Sequence, residues 1–147
     1  CKALAHLDVG ENDFGDEGAS RLAGGARLGE CNALTHLDLH GNAIGGSGAG
    51  GLADVLVRCK ALAHLGLSGN RVGAEGASRL AGALEECKAL AHLDVGENDF
   101  GDEGASRLAG GARLGECNAL THLDLHGNAI GGSGAGGLAD VLVRCKA

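Results

Sequence analysis

Phe14 and Phe100 are the only phenylalanine, tyrosine or tryptophan side chains in 147 residues. Trp, Tyr, Pro and Met are absent altogether. Without Trp and Tyr the chain lacks the aromatic anchors that dominate tight protein interfaces. Positive charge is also scarce, with 12 Lys and Arg against 19 Asp and Glu and a formal net charge of −7. That balance argues against nucleic acid, which demands a basic stripe. No apolar run approaches the roughly 20 residues of a membrane span. No signal-peptide pattern opens the chain, and the missing initiator Met points to a piece of a longer gene product. What remains is 44% apolar, mostly Leu and Ala, with 29 glycines. That is adequate core material if it is arranged periodically.

It is. Residues 1–61 and 87–147 are identical letter for letter, and a shorter period lies inside the 86-residue copy. The phrase C-x-A-L-x-H-L-x-[VL]-x-x-N-x-[FIV]-G-x-x-G-A-x-x-L-A opens at Cys1, Cys31, Cys59, Cys87 and Cys117, in steps of 30, 28, 28 and 30 residues. The units are 1–30, 31–58, 59–86, 87–116 and 117–144, and Cys145-Lys146-Ala147 begins a sixth. Such a chain is a single stacked array in which each unit touches its neighbours, and about three units suffice for stability. Letter-for-letter identity means recent duplication or deliberate concatenation. Retained Cys, glycine-rich helices and the irregular 30-residue unit favour a natural array over idealised design, the runner-up.

Six Cys in a short chain raise a disulfide framework as one reading. All six, however, occupy one place in successive units, which makes a column of like environments. Cys31, Cys59, Cys87 and Cys117 are therefore expected to be small buried hydrophobes. They would be reduced, as in a cytoplasmic compartment.

Within the second unit, Leu34, Leu37 and Leu39 follow L-x-x-L-x-L, and the last two alternate around Asp38 as in a short strand. Asn42 comes where the chain must leave the strand, and its amide can donate and accept along the turning backbone. Its equivalents are Asn12, Asn70, Asn98 and Asn128. Ile44 returns to the interior. Ala49, Leu52, Ala53 and Leu56 then stand at i, i+3, i+4 and i+7, one apolar helix face. Gly50 and Gly51 weaken that helix by about 1 kcal/mol each relative to Ala, in exchange for close approach of helix and sheet. The 30-residue units carry two extra residues before Cys, so a longer or distorted helix end is expected there. Stacked units give a parallel sheet with helices on one side. Helices are roughly 10 Å across and strands roughly 4.8 Å apart, so the sheet must line the inside of a curve.

The segments Leu4–Asn12, Leu34–Asn42, Leu62–Asn70, Leu90–Asn98 and Leu120–Asn128, each followed by [FIV]-G-x-x-G-A, resemble the ribonuclease-inhibitor-like class of leucine-rich repeats over the whole chain. The resemblance implies an α/β solenoid, a horseshoe arc with its sheet on the concave side and helices on the convex side. It also implies protein binding through the concave face and rims, without catalysis. End units with polar outer faces, usual in such stacks, are not seen.

The x positions of the strand phrase point away from the core. They put His6, His36, His64, His92 and His122 in one column and Asp8, Asp38, Gly66, Asp94 and Asp124 in the next. Beyond them lie Gly10, His40, Ser68, Gly96 and His126, then Glu11, Gly41, Gly69, Glu97 and Gly127. All seven His and six carboxylates share this face with no Lys or Arg. The plain reading is a solvated polar sheet face. A second is metal binding by His36, Asp38 and His40 and by His122, Asp124 and His126, since imidazole and carboxylate suit zinc or nickel. Residues i and i+2 on a strand are roughly 6.6 Å apart, however, so convergent rotamers are required. A third is a pH response between about pH 5 and 7.5, because the face passes from six negative charges to a net +1 as the histidines charge. A catalytic reading finds only Ser68 as a nucleophile, and no cofactor is implied. The expected function is a scaffold whose concave face holds a protein partner, basic by charge complementarity. The alternative is a structural array that associates head to tail through uncapped ends.

Overall fold

The computed structural model describes residues 2–25, 28–111 and 119–143. Five strands alternate with five helices among them: β1 (His6–Asp8), α1 (Gly15–Gly25), β2 (His36–Asp38), α2 (Gly46–Leu56), β3 (His64–Gly66), α3 (Gly73–Leu84), β4 (His92–Asp94), α4 (Gly101–Gly111), β5 (His122–Asp124) and α5 (Gly132–Leu142). The strands form one parallel sheet in chain order, β1-β2-β3-β4-β5. Register is direct: His6 lies beside His36, then His64, His92 and His122, and Leu7 beside Leu37, Leu65, Leu93 and Leu123. The helices pack against their sequence neighbours on the other side of the core. The result is the leucine-rich-repeat solenoid, with the sheet concave and the helices convex. Among the described residues, no helix is long and apolar enough to cross a membrane.

The core lies between the layers. Leu34, Leu37, Leu39, Ile44 and Leu52 of the second unit are buried, as are Leu62, Leu65, Leu67, Val72 and Leu80 of the third. Helices of 11 or 12 residues are marginal on their own in water, so burial of their apolar stripe holds them. Cys31, Cys59 and Cys87 are buried thiols in the same layer. The Cys59 Sγ lies 3.8 Å from Leu28 O and 3.7 Å from Val55 O, and burial among apolar groups pushes that thiol's pKa up. Cys117 lies outside the described residues.

The strand-to-helix turn is held by an asparagine ladder. Asn70 Nδ2 donates to Leu39 O, Leu67 O and Ser68 O, while its Oδ1 accepts from the backbone of Asn42 and Ile44. Asn42 reaches back in the same way, donating to Val9 O, Leu39 O and His40 O and accepting from Asn12 N. Each amide thus ties two units together. A second device was not anticipated in the sequence. Asp16 Oδ1 accepts from Gly45 N at 2.7 Å and Gly48 N at 2.8 Å, which caps the helix of the next unit. Asp102 does the same for Gly131 and Gly134. The negative charge also suits the positive end of the helix dipole.

The 30-residue unit ends in a distortion, not an extension. Helix α1 has 11 residues, like α2, and the chain then makes a 3₁₀ turn at Leu28–Glu30. The turn returns Leu28 to the core and lets Cys31 N donate to Leu28 O at 2.9 Å, as Cys59 N donates to Leu56 O at 2.9 Å. The extra residues are absorbed because the position three before the cysteine must stay apolar and buried.

Candidate functional site on the concave sheet face

Direct register turns the columns of the sequence into ladders in space. The rings of His6, His36, His64, His92 and His122 stack continuously, with centroid separations of 5.1, 4.3, 4.1 and 4.3 Å and interplanar angles of 21, 12, 11 and 14°. The strand spacing, about 4.8 Å, sets this pitch. The outer rings are exposed and the inner three half-buried. Thr35 Oγ1 sits 2.9 Å from His36 Nδ1. The Nδ1 atoms of His64 and His92 are enclosed and meet no hydrogen-bond partner.

Beside this ladder runs the carboxylate column of Asp8, Asp38, Asp94 and Asp124, interrupted by Gly66. A side chain at Gly66 would meet Asp38 Oδ1 at 2.6 Å, so the neighbouring carboxylate occupies the space. The rim histidines bind these carboxylates. His40 Nδ1 lies 3.0 Å from Asp38 Oδ1, which also accepts the His40 backbone N–H, and Glu11 Oε1 is 3.8 Å from His40 Nε2. His126 repeats the arrangement with Asp124 at 2.8 Å and Glu97 at 3.4 Å. Gly10 and Gly96 make it fit, because a Cβ at either would collide with the ring of His40 or His126. The sequence signal is plain in retrospect: each rim His stands one unit after a Gly. Glu11 and Glu97 sit at φ 56° and 51°, where the other units place Gly41, Gly69 and Gly127. A non-glycine residue there costs about 1 kcal/mol, and each of these two brings a carboxylate to a rim histidine. Ser68 occupies the same rim on the third unit, half-buried.

Two kinds of histidine result. The hydrogen bond to Asp38 raises the His40 pKa above its ordinary value, helped by the charges of Asp38, Glu11 and Asp8 and opposed by burial. The same bond to Asp124 raises His126. Asp124 in turn is lowered, first by the His126 backbone N–H and then by its ring. His64 goes the other way, lowered by burial and then by the other four ladder rings.

The donor groups that converge differ from the proposed single-strand sets. One ligand atom from each of Asp8, Asp38 and His40 lies within 4.8 Å of the others, and so do those of Asp94, Asp124 and His126. His36 and His122 are not in these groups, and their rings belong to the stack. Any cation at these groups would sit between strands. Cross-strand pairing, not i to i+2 spacing, brings the carboxylates together.

Comparison with known proteins bears on the fold. A family model described as Leucine Rich repeat matches residues 1–23, 30–53, 59–81, 86–109 and 116–139. No curated protein matches the chain significantly. Among solved structures, the leiomodin-1 actin-binding site 2 is 18% identical, with a TM-score of 0.74 over 95% of this chain and 79% of that one. The tropomodulin C-terminal domain of Caenorhabditis elegans is 15% identical, with a TM-score of 0.74 over 96% of this chain and 83% of that one. At such identities the likeness concerns the fold. The family model covers most of the sequence and follows the same strand–turn–helix units seen in three dimensions, so this chain belongs to the leucine-rich-repeat family.

Proposed function

We propose that the chain is a non-enzymatic scaffold that holds a basic protein segment on its concave sheet face and rims. One observation carries this reading. Six carboxylates and seven imidazoles share one face with no Lys or Arg beside them, while basic residues such as Arg21, Arg79 and Arg107 pair with glutamates on the helices. A face of one sign on a rigid sheet steers an oppositely charged partner and raises its on-rate. The leiomodin-1 structure, named for actin binding, supports a protein as the partner class. The net charge of −7 disfavours nucleic acid as the partner in this reading.

The test is an NMR titration with an oligolysine peptide at low salt. Shift changes should fall on the strands and rims, and affinity should drop steeply as salt is added. Changes confined to the helices, or none, would overturn the reading.

A further inference from the structure

The five ladder rings stack on one another, whereas the rim rings of His40 and His126 pair with carboxylates. Stacked at 4.1–4.3 Å, adjacent inner imidazoles cannot both carry charge without strong repulsion. A charged ring bears N–H on both nitrogens, yet Nδ1 of His64 and of His92 is enclosed with no acceptor in reach. An unsatisfied buried donor is costly. The groups facing the ladder are few. Asp8, Asp38, Asp94 and Asp124 stand two residues along the same strands, and Asp38 and Asp124 are already engaged by His40 and His126. Strand β3 offers no carboxylate, since Gly66 fills that place. The strand residues that follow the inner histidines, Leu37, Leu65 and Leu93, are buried in the core and carry no charge. The stack is therefore a neutral-state structure.

We propose that the imidazole ladder is a proton-operated element of the concave face: neutral rings stay stacked, and acid separates them as neighbours charge, releasing a basic partner. This rests on the reading of that face as the binding surface. The charge arithmetic follows from the composition of the face. Six carboxylates with seven neutral histidines give −6, and with all seven charged the same face carries +1.

The linkage signs are opposite for the two kinds of ring. His64 has a folded pKa below its ordinary value, so its contribution to stability is full above the ordinary value and is lost as pH falls from there through the folded one. His40 and His126 have raised folded values. Their contribution is full below the ordinary value and is lost as pH rises through the folded one. On acidification the rim pairs hold the strand ends while the ladder opens, so the response is local.

The experiment is a histidine-resolved NMR titration of the whole chain, followed by oligolysine binding at about pH 7.5 and about pH 5. Over this interval lysine stays charged and most aspartates stay ionised. His64 should charge at a lower pH than His40 and His126, and the cross-ring contacts from His64 to His36 and His92 should vanish over the same interval. Oligolysine should bind about tenfold more weakly at the lower pH. His64 charging together with or before the rim pair, or cross-ring contacts persisting in the charged ladder, would overturn the proposal whatever the peptide does. Equal binding at both pH values with an opened ladder overturns the release of the partner alone. No binding at either pH overturns the concave-face reading and the release with it, while the ring titration still reports on the ladder by itself.

Discussion

Asn70→Ala is expected to cost about 4 kcal/mol, a large share of a total stability in the ordinary range of about 5–15 kcal/mol. The estimate rests on which partners are left stranded. Leu39 O and Leu67 O keep the amides of Asn42 and Asn98, and Ser68 O keeps Gly41 N. Asn42 N and Ile44 N have only Asn70 Oδ1, and both are buried. Two orphaned buried donors at about 1–3 kcal/mol each dominate the loss. The same substitution at Asn12 is the control. That residue is exposed, and its amide donates only to Val9 O and Gly10 O. Asn12→Ala should cost about 1 kcal/mol or less. Urea denaturation followed by circular dichroism compares the two. Similar midpoints for both variants would show that the ladder does not carry the turn.

Gly76→Val should lose about 3 kcal/mol by overpacking, although valine is a better helix former than glycine. A Cβ there would lie 2.5 Å from Val72 Cγ1, 3.1 Å from Gly46 Cα and 3.2 Å from Ala49 Cβ. Val72 can shift its side chain, but the backbone of the preceding unit cannot move without disturbing the stack. Gly82, six residues on in the same helix, has nothing within 4 Å of its missing Cβ. Gly82→Ala should therefore stabilise by about 1 kcal/mol through helix propensity alone. Opposite shifts of the denaturation midpoint for the two variants are the expected result. A stable Gly76→Val protein would mean that the units can separate further than their close approach implies.

These two positions also show why glycine was only half legible. The pattern [FIV]-G-x-x-G places Gly76 at a fixed point of the unit. Its need comes from the neighbouring unit, and one unit's sequence carries no information about how near its neighbour lies. The close approaches of Gly50 and Gly51 are likewise to Arg79 and Ser20 of adjacent helices, not to the sheet. The Asp16 cap is illegible in one unit for the same reason: it serves a helix about thirty residues later in the chain.

The sequence alone determined the periodic units, the strand, turn and helix within each, and the direction of curvature. These follow from apolar spacing and from the different widths of helix and strand, both local properties. It also determined that every histidine shares a face with six carboxylates, because alternation on a strand is a strict rule. Only the tertiary structure decided what those residues do to one another. Direct register made the first column a ring stack. The empty places at Gly10 and Gly96 swung His40 and His126 onto carboxylates, and cross-strand pairing brought Asp8 beside Asp38. Side-chain direction across a sheet depends on what the next strand leaves vacant, and that is a property of the stack, not of any unit in it.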